Sequence, residues 1–310
     1  MKKISIIVPC YNEEEVLKLF YDEMKKEVLA KIKDRYDYEL LFVDDGSKDK
    51  TLSILKQMKE IDNNVRIISF SRNFGKESSM YAGLENCDGD YVVIMDADLQ
   101  HSPDKIIEMI KGIEEGYDVV TTVRQDRKGE SKIRNAFSRL FYKIMHGSSK
   151  IEVKQGAQDY RMMTRQVVEA ILELKEYNRF SKGIFSWVGF NVKYIETSNR
   201  ERAAGKSKWN FLGLLKYAKE GIISFSTMPL KLSILFGLII SVIAIILGIT
   251  VFIQTLCYGK DVPGYASTII SVLFMGGIQL ISIGILSEYI SKMYMEIKDR
   301  PKYIIKEKID

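Results

Sequence analysis

The sequence predicts an α/β domain built on a mostly parallel sheet, followed by two helices that span a membrane. In residues 1–122, short apolar runs rich in β-branched residues alternate with amphipathic stretches, which is the pattern of parallel sheets covered by helices on both faces. Towards the C-terminus, 232–256 and 262–287 contain no charged residue, and each run exceeds the roughly 20 residues that a spanning helix needs. A buried hairpin in a soluble protein is the alternative, and uncharged runs of this length make it the weaker one.

Five strands and several helices are predicted along the first domain. The strands lie at 3–8, 38–43, 65–70, 91–96 and 117–122. Helical spacing of apolar residues occupies 13–34, 49–60, 75–87, 103–115, 129–146 and 164–174, with a polar patch at 156–161 before the last helix. Ligands of such sheets bind beyond the carboxyl ends of the strands. The residues that follow each strand are therefore the candidates for a site.

Composition excludes several classes of protein. The 310 residues include only five prolines and are 46% hydrophobic, which is unlike a disordered chain. Three widely spaced cysteines make neither a disulfide framework nor a zinc site, and two histidines supply a His-rich metal site or a Ser-His-Asp triad poorly. The net charge of +5 is mild. It is compatible with binding to nucleic acid, with binding to an acidic membrane, or with neither.

Acidic side chains follow three of the predicted strands, beginning with Glu13 after the first. Asp44 and Asp45 end the second strand, and the run D-A-D-L-Q at 96–100 ends the fourth. Carboxylates gathered at one edge repel each other. A divalent cation such as Mg²⁺ or Mn²⁺, which prefers oxygen ligands, would relieve this repulsion, and so would basic groups on a ligand. Alternatively, Asp98 or Ser102 only caps the helix that opens at Pro103.

Other polar segments suit a nucleotide. Tyr11 and Glu13, after the first strand, can stack on and hydrogen-bond a nucleoside, and an aspartate at 44–45 can accept hydrogen bonds from ribose or base, although Ser47 or Asp49 is equally well explained as a helix cap. The segment R-A-A-G-K-S-K at 202–208 lacks the first glycine of a phosphate-binding P-loop. It remains a basic segment suited to binding phosphates, or only the positively charged flank that precedes a membrane-spanning helix.

Five motifs occur in order: P-C-Y-N-E at 9–13, V-D-D-G-S at 43–47, D-A-D-L-Q at 96–100, G-A-Q-D-Y-R at 156–161 and R-x-x-G-x-S-K at 202–208. Together they resemble the family 2 glycosyltransferases that act on polyprenyl phosphates, such as dolichyl-phosphate mannose synthase and the bactoprenol glucosyltransferases. The resemblance implies a GT-A fold, a nucleotide-sugar donor, a divalent metal (Mg²⁺ or Mn²⁺) and a homo-oligomer, a tetramer in relatives. Tyr160 departs mildly from the family, in which Phe is commoner, and the Q-x-x-R-W motif of processive synthases is absent.

The same resemblance assigns roles to individual residues. The implied nucleotide-sugar contacts are Pro9, Tyr11, Glu13, Val43, Asp45, Asp96, Ala97, Arg124, Arg202, Ser207 and Lys208. The implied metal ligands are Asp96, Asp98 and Gln100, and the catalytic set is Asp159, Asp98 and Arg124. Arg134, Arg161 and Lys206 are expected at the lipid phosphate.

The expected organisation is a glycosyltransferase domain at 1–207, an amphipathic interfacial helix region at 208–230, a transmembrane hairpin at 231–292 and a basic tail at 293–310. Basic residues flank the hairpin on both sides, which predicts that the domain and both termini face the cytoplasm. The expected reaction is inverting transfer of a sugar, glucose from a UDP-sugar first, to undecaprenyl phosphate. GDP-mannose or a modified UDP-sugar, a membrane nucleotidyl or headgroup transferase, and a non-catalytic scaffold are the alternatives; no nucleic-acid partner is expected.

Overall fold

The computed structural model describes residues 1–124, 154, 156–197, 221–224, 226–258 and 264–310. Within them, the strands are β1 (Lys2–Cys10), β2 (Tyr36–Asp44), β3 (Val65–Phe70), β4 (Tyr91–Ile94), β5 (Val119–Arg124), β6 (Ala157–Thr164), β7 (Val192–Thr197) and β8 (Ile305–Ile309). The helices are α1 (Leu17–Met24), continued by a π-helical turn (Lys25–Leu29) and Ala30–Ile32, then α2 (Thr51–Ile61), α3 (Lys76–Asn86), α4 (Lys105–Glu114), α5 (Arg165–Glu173), α6 (Ser181–Trp187), α7 (Met228–Tyr258) and α8 (Tyr265–Ile297).

All strands join one sheet in the order β7-β5-β6-β4-β1-β2-β3-β8. Strand β1 pairs in parallel with β2 and with β4, and β2 pairs in parallel with β3. This confirms the predicted mostly parallel α/β sheet. The five predicted strands and the helix expected at 164–174 all form, with ends shifted by a few residues.

The polar patch at 156–161 lies largely within a strand that the sequence did not predict. Strand β6 is inserted between β4 and β5 and runs antiparallel to both. Ile94 lies opposite Arg161, so the start of β6 runs beside the residues that follow β4. The prediction failed because A-Q-D-Y-R-M-M-T lacks the β-branched run that marks the other strands.

Helices cover both faces of the sheet, as predicted. On one face, Phe20 of α1 meets Phe42 of β2 edge-on with ring centroids 6.2 Å apart, within a core that also includes α2 and α4. On the other, Met80 of α3 and Val168 of α5 pack on the inner strands. At about 25 cal/mol per Å² of buried apolar surface, these two layers supply most of the driving force for folding.

The C-terminal residues contain more than the predicted basic tail. Helix α8 runs to Ile297, and β8 then pairs antiparallel with β3 at the edge of the sheet. Residues 305–309 therefore belong to the first domain. The prediction of a basic tail was wrong for these residues. The run I-K-E-K-I has isoleucine at both ends and charged residues between them, which suits an edge strand, and its net charge alone does not reveal this.

Helices α7 and α8 are long and apolar enough to cross a membrane, and none of their most apolar window is buried in the protein. Five predicted site residues, Arg134, Arg202, Lys206, Ser207 and Lys208, lie outside the described residues, as do the helix at 129–146 and most of that at 208–225.

Candidate active site

A lysine bridges two carboxylates at the carboxyl edge of the sheet. The Nζ of Lys76, the first residue of α3, lies 2.7 Å from Oδ1 of Asp96 and 3.0 Å from Oδ2 of Asp159. Asp96 follows β4, and Asp159 lies near the start of β6. The antiparallel pairing of these two strands brings together a predicted metal ligand and the predicted acceptor aspartate, more than sixty residues apart in the chain.

Positive charge keeps Asp159 ionised. Burial alone would raise its pKa, but Lys76, Lys182 and Arg161 together lower it below the usual range. For Lys76, burial works against the charged form, and Asp96 and Asp159 outweigh it and raise the pKa. An Asp159 held as a carboxylate accepts hydrogen bonds and is a weak base, which suits an orienting role better than proton abstraction.

Asp45 closes the turn after β2. Gly46 has φ +64°, and a Cβ there would lie 2.5 Å from the carbonyl carbon of Arg72, so this close approach requires glycine. The Asp45 carboxylate accepts hydrogen bonds from the amides of Phe74 (2.6 Å) and Gly75 (2.9 Å). Burial raises the pKa of Asp45 to about 6 despite those two amides.

The segment after β1 is tied to the turn after β2. The Asn12 amide donates to Ser47 Oγ (2.9 Å), the Lys48 amide donates to Asn12 Oδ1 (2.9 Å), and the Glu13 amide donates to Thr51 Oγ1 (2.9 Å). These bonds hold Tyr11 and Glu13, both partly exposed, beside the turn that carries Asp45. The two predicted nucleoside-binding segments thus form one rim of the cleft.

Asp44 has a structural role. Its carboxylate accepts hydrogen bonds from the Ser47 amide (3.0 Å) and from Ser69 Oγ (2.7 Å), and the residue is buried. Asp45, directly after β2, is also buried, at 3% exposed, but its carboxylate is held by the amides of Phe74 and Gly75 that precede α3.

The segment after β4 holds the predicted metal ligands. Asp98 Oδ1 accepts a hydrogen bond from the Gln100 amide (3.1 Å), across Leu99, whose φ is +55°. Asp96, Asp98 and Gln100 are all partly exposed. Among the described residues no group of three or more His, Cys, Asp and Glu could hold a metal ion alone. Two carboxylates and one amide oxygen fit a divalent cation that takes its remaining ligands from a substrate diphosphate.

His101 lies directly behind these ligands and was missed from the sequence. It is 9% exposed and stacks on Tyr160, with ring centroids 5.5 Å apart. Its Nδ1 has no hydrogen-bond partner among the described residues, and burial lowers its pKa although Asp96 and Asp98 act to raise it. A neutral His101 therefore packs its ring against Tyr160, directly after the D-A-D-L-Q segment in the chain.

Lys76 was also missed, although a signal for it existed. It follows the third strand in the run S-R-N-F-G-K-E at 71–77, and the rule that sites lie beyond strand ends applied to β3 as well. The run differs from the ends of β2 and β4 because no acidic residue follows β3 until Glu77.

Three predicted contacts need qualification. Val43 is fully buried and Ala97 is 2% exposed, so any contact with a nucleotide comes from their backbone. Arg161, expected at the lipid phosphate, is 5% exposed, donates to the Gln158 carbonyl (2.7 Å) and lies over the Phe185 ring at 3.6 Å. In that position Arg161 contributes positive charge near Asp159.

Arg124 ends β5 and Pro9 lies near the end of β1, both partly exposed.

An α/β sheet with this cleft, followed by an apolar hairpin, matches known proteins over nearly its whole length. The chain belongs to glycosyltransferase family 2: residues 5–172 match the family described as "Glycosyl transferase family 2", and residues 228–293 match the "GtrB C-terminal hairpin". The fold is GT-A-like, and the protein is a hexosyltransferase.

Similar proteins are found in bacteria and in a prophage. The chain is 46% identical to the CsbB protein of Bacillus subtilis, over 98% of this chain and 91% of that protein. It is 42% identical to the SfII prophage-derived bactoprenol glucosyl transferase of Shigella flexneri, over 98% of this chain and 97% of that one. Among solved structures, glucosyl-3-phosphoglycerate synthase from Mycobacterium tuberculosis, in complex with Mn²⁺ and UDP-glucose, is 19% identical, with a TM-score of 0.47 over 72% of this chain and 78% of that one.

Proposed function

We propose that this enzyme transfers glucose from UDP-glucose to undecaprenyl phosphate at the cytoplasmic surface of a membrane, with inversion at the anomeric carbon. The observation that carries the proposal is that the likeness to a bactoprenol glucosyl transferase extends over 98% of the chain and thus includes the apolar hairpin as well as the cleft. An enzyme whose acceptor is a lipid has a use for both parts.

The acceptor determines what the protein has to do. The second pKa of a phosphate monoester is about 6, so the acceptor oxygen is already a nucleophile at neutral pH. That oxygen forms a bond to the anomeric carbon as the bond from this carbon to the donor diphosphate breaks, and the nucleoside diphosphate leaves. The protein must hold two anions in line, and orientation alone supplies up to about 7–11 kcal/mol in well-aligned systems.

Each part of the cleft has a role in this reaction. Tyr11, Glu13 and Asp45 bind the nucleoside, and Asp96, Asp98 and Gln100 would hold Mg²⁺ or Mn²⁺. A bound divalent cation supplies charge neutralisation for the leaving diphosphate. Arg124, with Arg202, Ser207 and Lys208 from the basic segment, adds positive charge at the phosphates. Asp159 orients the acceptor, and the positive charges of Arg134 and Lys206 attract the lipid phosphate.

The membrane arrangement is part of the proposal. Basic residues on both flanks of the hairpin favour the cytoplasmic side, which puts the domain and both termini where nucleotide sugars are available. Accessibility of single cysteines placed at 2 and 310 to an impermeant thiol reagent, in right-side-out and inverted vesicles, would decide this topology. We also infer a homo-oligomer, which light scattering of the protein in detergent would check.

The deciding experiment is a transfer assay on purified protein with undecaprenyl phosphate, Mn²⁺ and labelled UDP- and GDP-sugars, followed by extraction of the lipid. We expect label from UDP-glucose, lost with EDTA and reduced about 100-fold or more in Asp98→Asn. Asp37→Asn, which changes an exposed carboxylate of β2, should match the wild type. If only GDP-mannose labels the lipid, the donor is GDP-mannose and not UDP-glucose. Release of diphosphate from a nucleoside triphosphate, without sugar transfer, would overturn the proposal.

A further inference from the structure

Lys76 belongs to a segment whose backbone is held on both sides. Before it, the amides of Phe74 and Gly75 donate to Asp45. After it, the Glu77 carboxylate accepts hydrogen bonds from the amide (3.2 Å) and hydroxyl of Ser181 at the start of α6. Contacts from the turn after β2 and from α6 thus fix the start of α3. An ordinary surface lysine has no such support, and its ion pairs contribute little.

The Lys76 side chain also remains partly accessible. The Lys76 side chain is 41% exposed, whereas those of Asp96 and Asp159 are 33% and 23% exposed. Lysine has three N–H donors, and these two carboxylates engage it without burying it. Both oxygens of Asp96 lie within 2.8 Å of Nζ, so a further acceptor arriving from the cleft can bind Lys76 in place of one Asp96 oxygen, without displacing Asp159.

The charge of the acceptor creates a need for such a group. A phosphate monoester that approaches Asp159 brings up to two negative charges towards a carboxylate held ionised. At close range in a partly buried site, this repulsion is several-fold stronger than in water. A fixed cation between the carboxylate and the phosphate converts the repulsion into attraction, because each anion then contacts the same ammonium.

We propose that Lys76 is a further catalytic residue, which donates from Nζ to the phosphate of the acceptor while it remains paired with Asp159. This inference rests on the proposed function, because it takes a phosphate monoester as the acceptor. With Asp96 engaged in metal binding, Lys76 still keeps Asp159 as its partner. The role of Asp159 is then to aim Lys76, and the two residues act as one acceptor-binding unit.

The test compares Lys76→Met and Lys76→Arg with Lys18→Met, a control at an exposed position of α1. Losing a hydrogen bond to a charged group weakens binding by about 10- to 100-fold. We expect Lys76→Met to raise KM for undecaprenyl phosphate by about that factor, and Lys76→Arg, which keeps the charge, to recover part of it. KM for the UDP-sugar should stay within about threefold of the wild type, since a lost donor contact would exceed that.

A second readout does not depend on turnover. Calorimetry would measure binding of farnesyl phosphate, a short prenyl monophosphate, to each variant saturated with UDP and Mn²⁺. We expect about a tenfold or greater loss in Lys76→Met, with UDP affinity and melting temperature preserved. An unchanged farnesyl phosphate affinity would overturn the inference, and so would an equal loss of UDP affinity, which would mark Lys76 as a donor-site residue.

The two proposals fail separately. If the wild type labels no lipid from any donor, the proposed function is wrong, and farnesyl phosphate binding still decides the role of Lys76. If the wild type is active and Lys76→Met keeps its KM for the lipid, only the inference on Lys76 is wrong. Should Lys76→Met not fold, Lys76→Leu, which likewise removes the charge and the N–H donors, replaces it with the same expected outcomes.

Discussion

Tyr303, shortly beyond α8, stacks on Phe70 at the end of β3, with ring centroids 4.9 Å apart and ring planes inclined by 19°. Its hydroxyl donates to Glu85 and accepts from Asn86 Nδ2. The chain thus returns from the second apolar helix to the catalytic domain, and β8 follows on the edge of the same sheet. The segment that follows the apolar hairpin is therefore packed on the catalytic domain.

Removing the Tyr303 ring should loosen this attachment. We expect Tyr303→Ala to lower the free energy of unfolding by about 2–4 kcal/mol, because it loses buried apolar area and a stacked aromatic pair. Tyr303→Phe keeps the stacking and should cost about 1 kcal/mol. Chemical denaturation in detergent would measure both. Equal losses in the two variants would show that the hydroxyl, and not the ring, provides the attachment.

A second contact links α8 to the loop before α6. Both carboxylate oxygens of Glu296 accept from the Tyr177 amide, at 2.9 and 3.0 Å. We expect Glu296→Ala to lower kcat/KM for the lipid acceptor by about three- to tenfold, since one hydrogen bond that orients the domain is lost. Glu173→Gln, at an exposed position of α5, serves as the control.

Which kinetic constant changes will decide whether Glu296 orients the domain relative to α8. KM for the UDP-sugar should not change in Glu296→Ala, because the nucleotide reaches the cleft from water. If both substrates are affected alike, the substitution has disturbed the cleft itself.

Asp45 predicts a dependence of stability on pH. Its pKa is about 6 in the folded protein against 3.8 ordinarily, so folding favours the protonated form. This contribution to stability is complete below about pH 4 and is lost as the pH rises to about 6. Relative to Asp45→Asn, the wild type should therefore lose up to about 3 kcal/mol of unfolding free energy between pH 4 and pH 7.

Unfolding of both proteins across that range would measure the effect. Glu77 and His101 also titrate with shifted pKa values, but they are present in both proteins and cancel in the difference. A difference that stays constant with pH would contradict the prediction.

Glu39 is a buried charge held by partners from three directions. It is 2% exposed and accepts from Ser5 Oγ, from the Asp88 amide (2.9 Å) and from Arg66 Nη1 (2.8 Å). Burial would raise its pKa, and these bonds, with that from Lys3, lower it to about 2. We expect Glu39→Ala to destabilise the protein by about 3–5 kcal/mol, because Arg66 loses its buried partner.

Asp310 offers the matched comparison for Glu39. It pairs with the same Arg66 at 2.7 Å but is 60% exposed, so Asp310→Ala should cost less than about 1 kcal/mol. Thermal melts in detergent would check both values. A large effect of Asp310→Ala would indicate that the Asp310 side chain anchors β8.

Several parts of the fold and the site were predictable for local reasons. The β-branched runs of β1 to β5 and the helical spacing of α2 to α5 are each contained in a short window of sequence. The acidic ends of β2 and β4 were predictable in the same way, because a parallel sheet brings the carboxyl ends of its strands to one edge. The family followed from five motifs in order.

The missed features share a different cause. Strand β6 lacks a β-branched run, and β8 forms only by pairing with β3, more than two hundred residues away. Lys76 and His101 are ordinary residue types whose positions become meaningful through their neighbours. Arg161 looks like a surface cation in the sequence, yet it is buried against Phe185.

By itself the sequence determined the class of the protein, the layered α/β domain, the apolar hairpin and the residue types of the cleft, because periodicity and motif spacing are local properties of the chain. Only the tertiary structure decided which partners hold each of the adjacent Asp44 and Asp45, that Lys76 joins Asp96 to Asp159, and that the chain returns from α8 to the sheet. These depend on strand order and on antiparallel register, through which a shift of one residue would turn Asp159 to the opposite face.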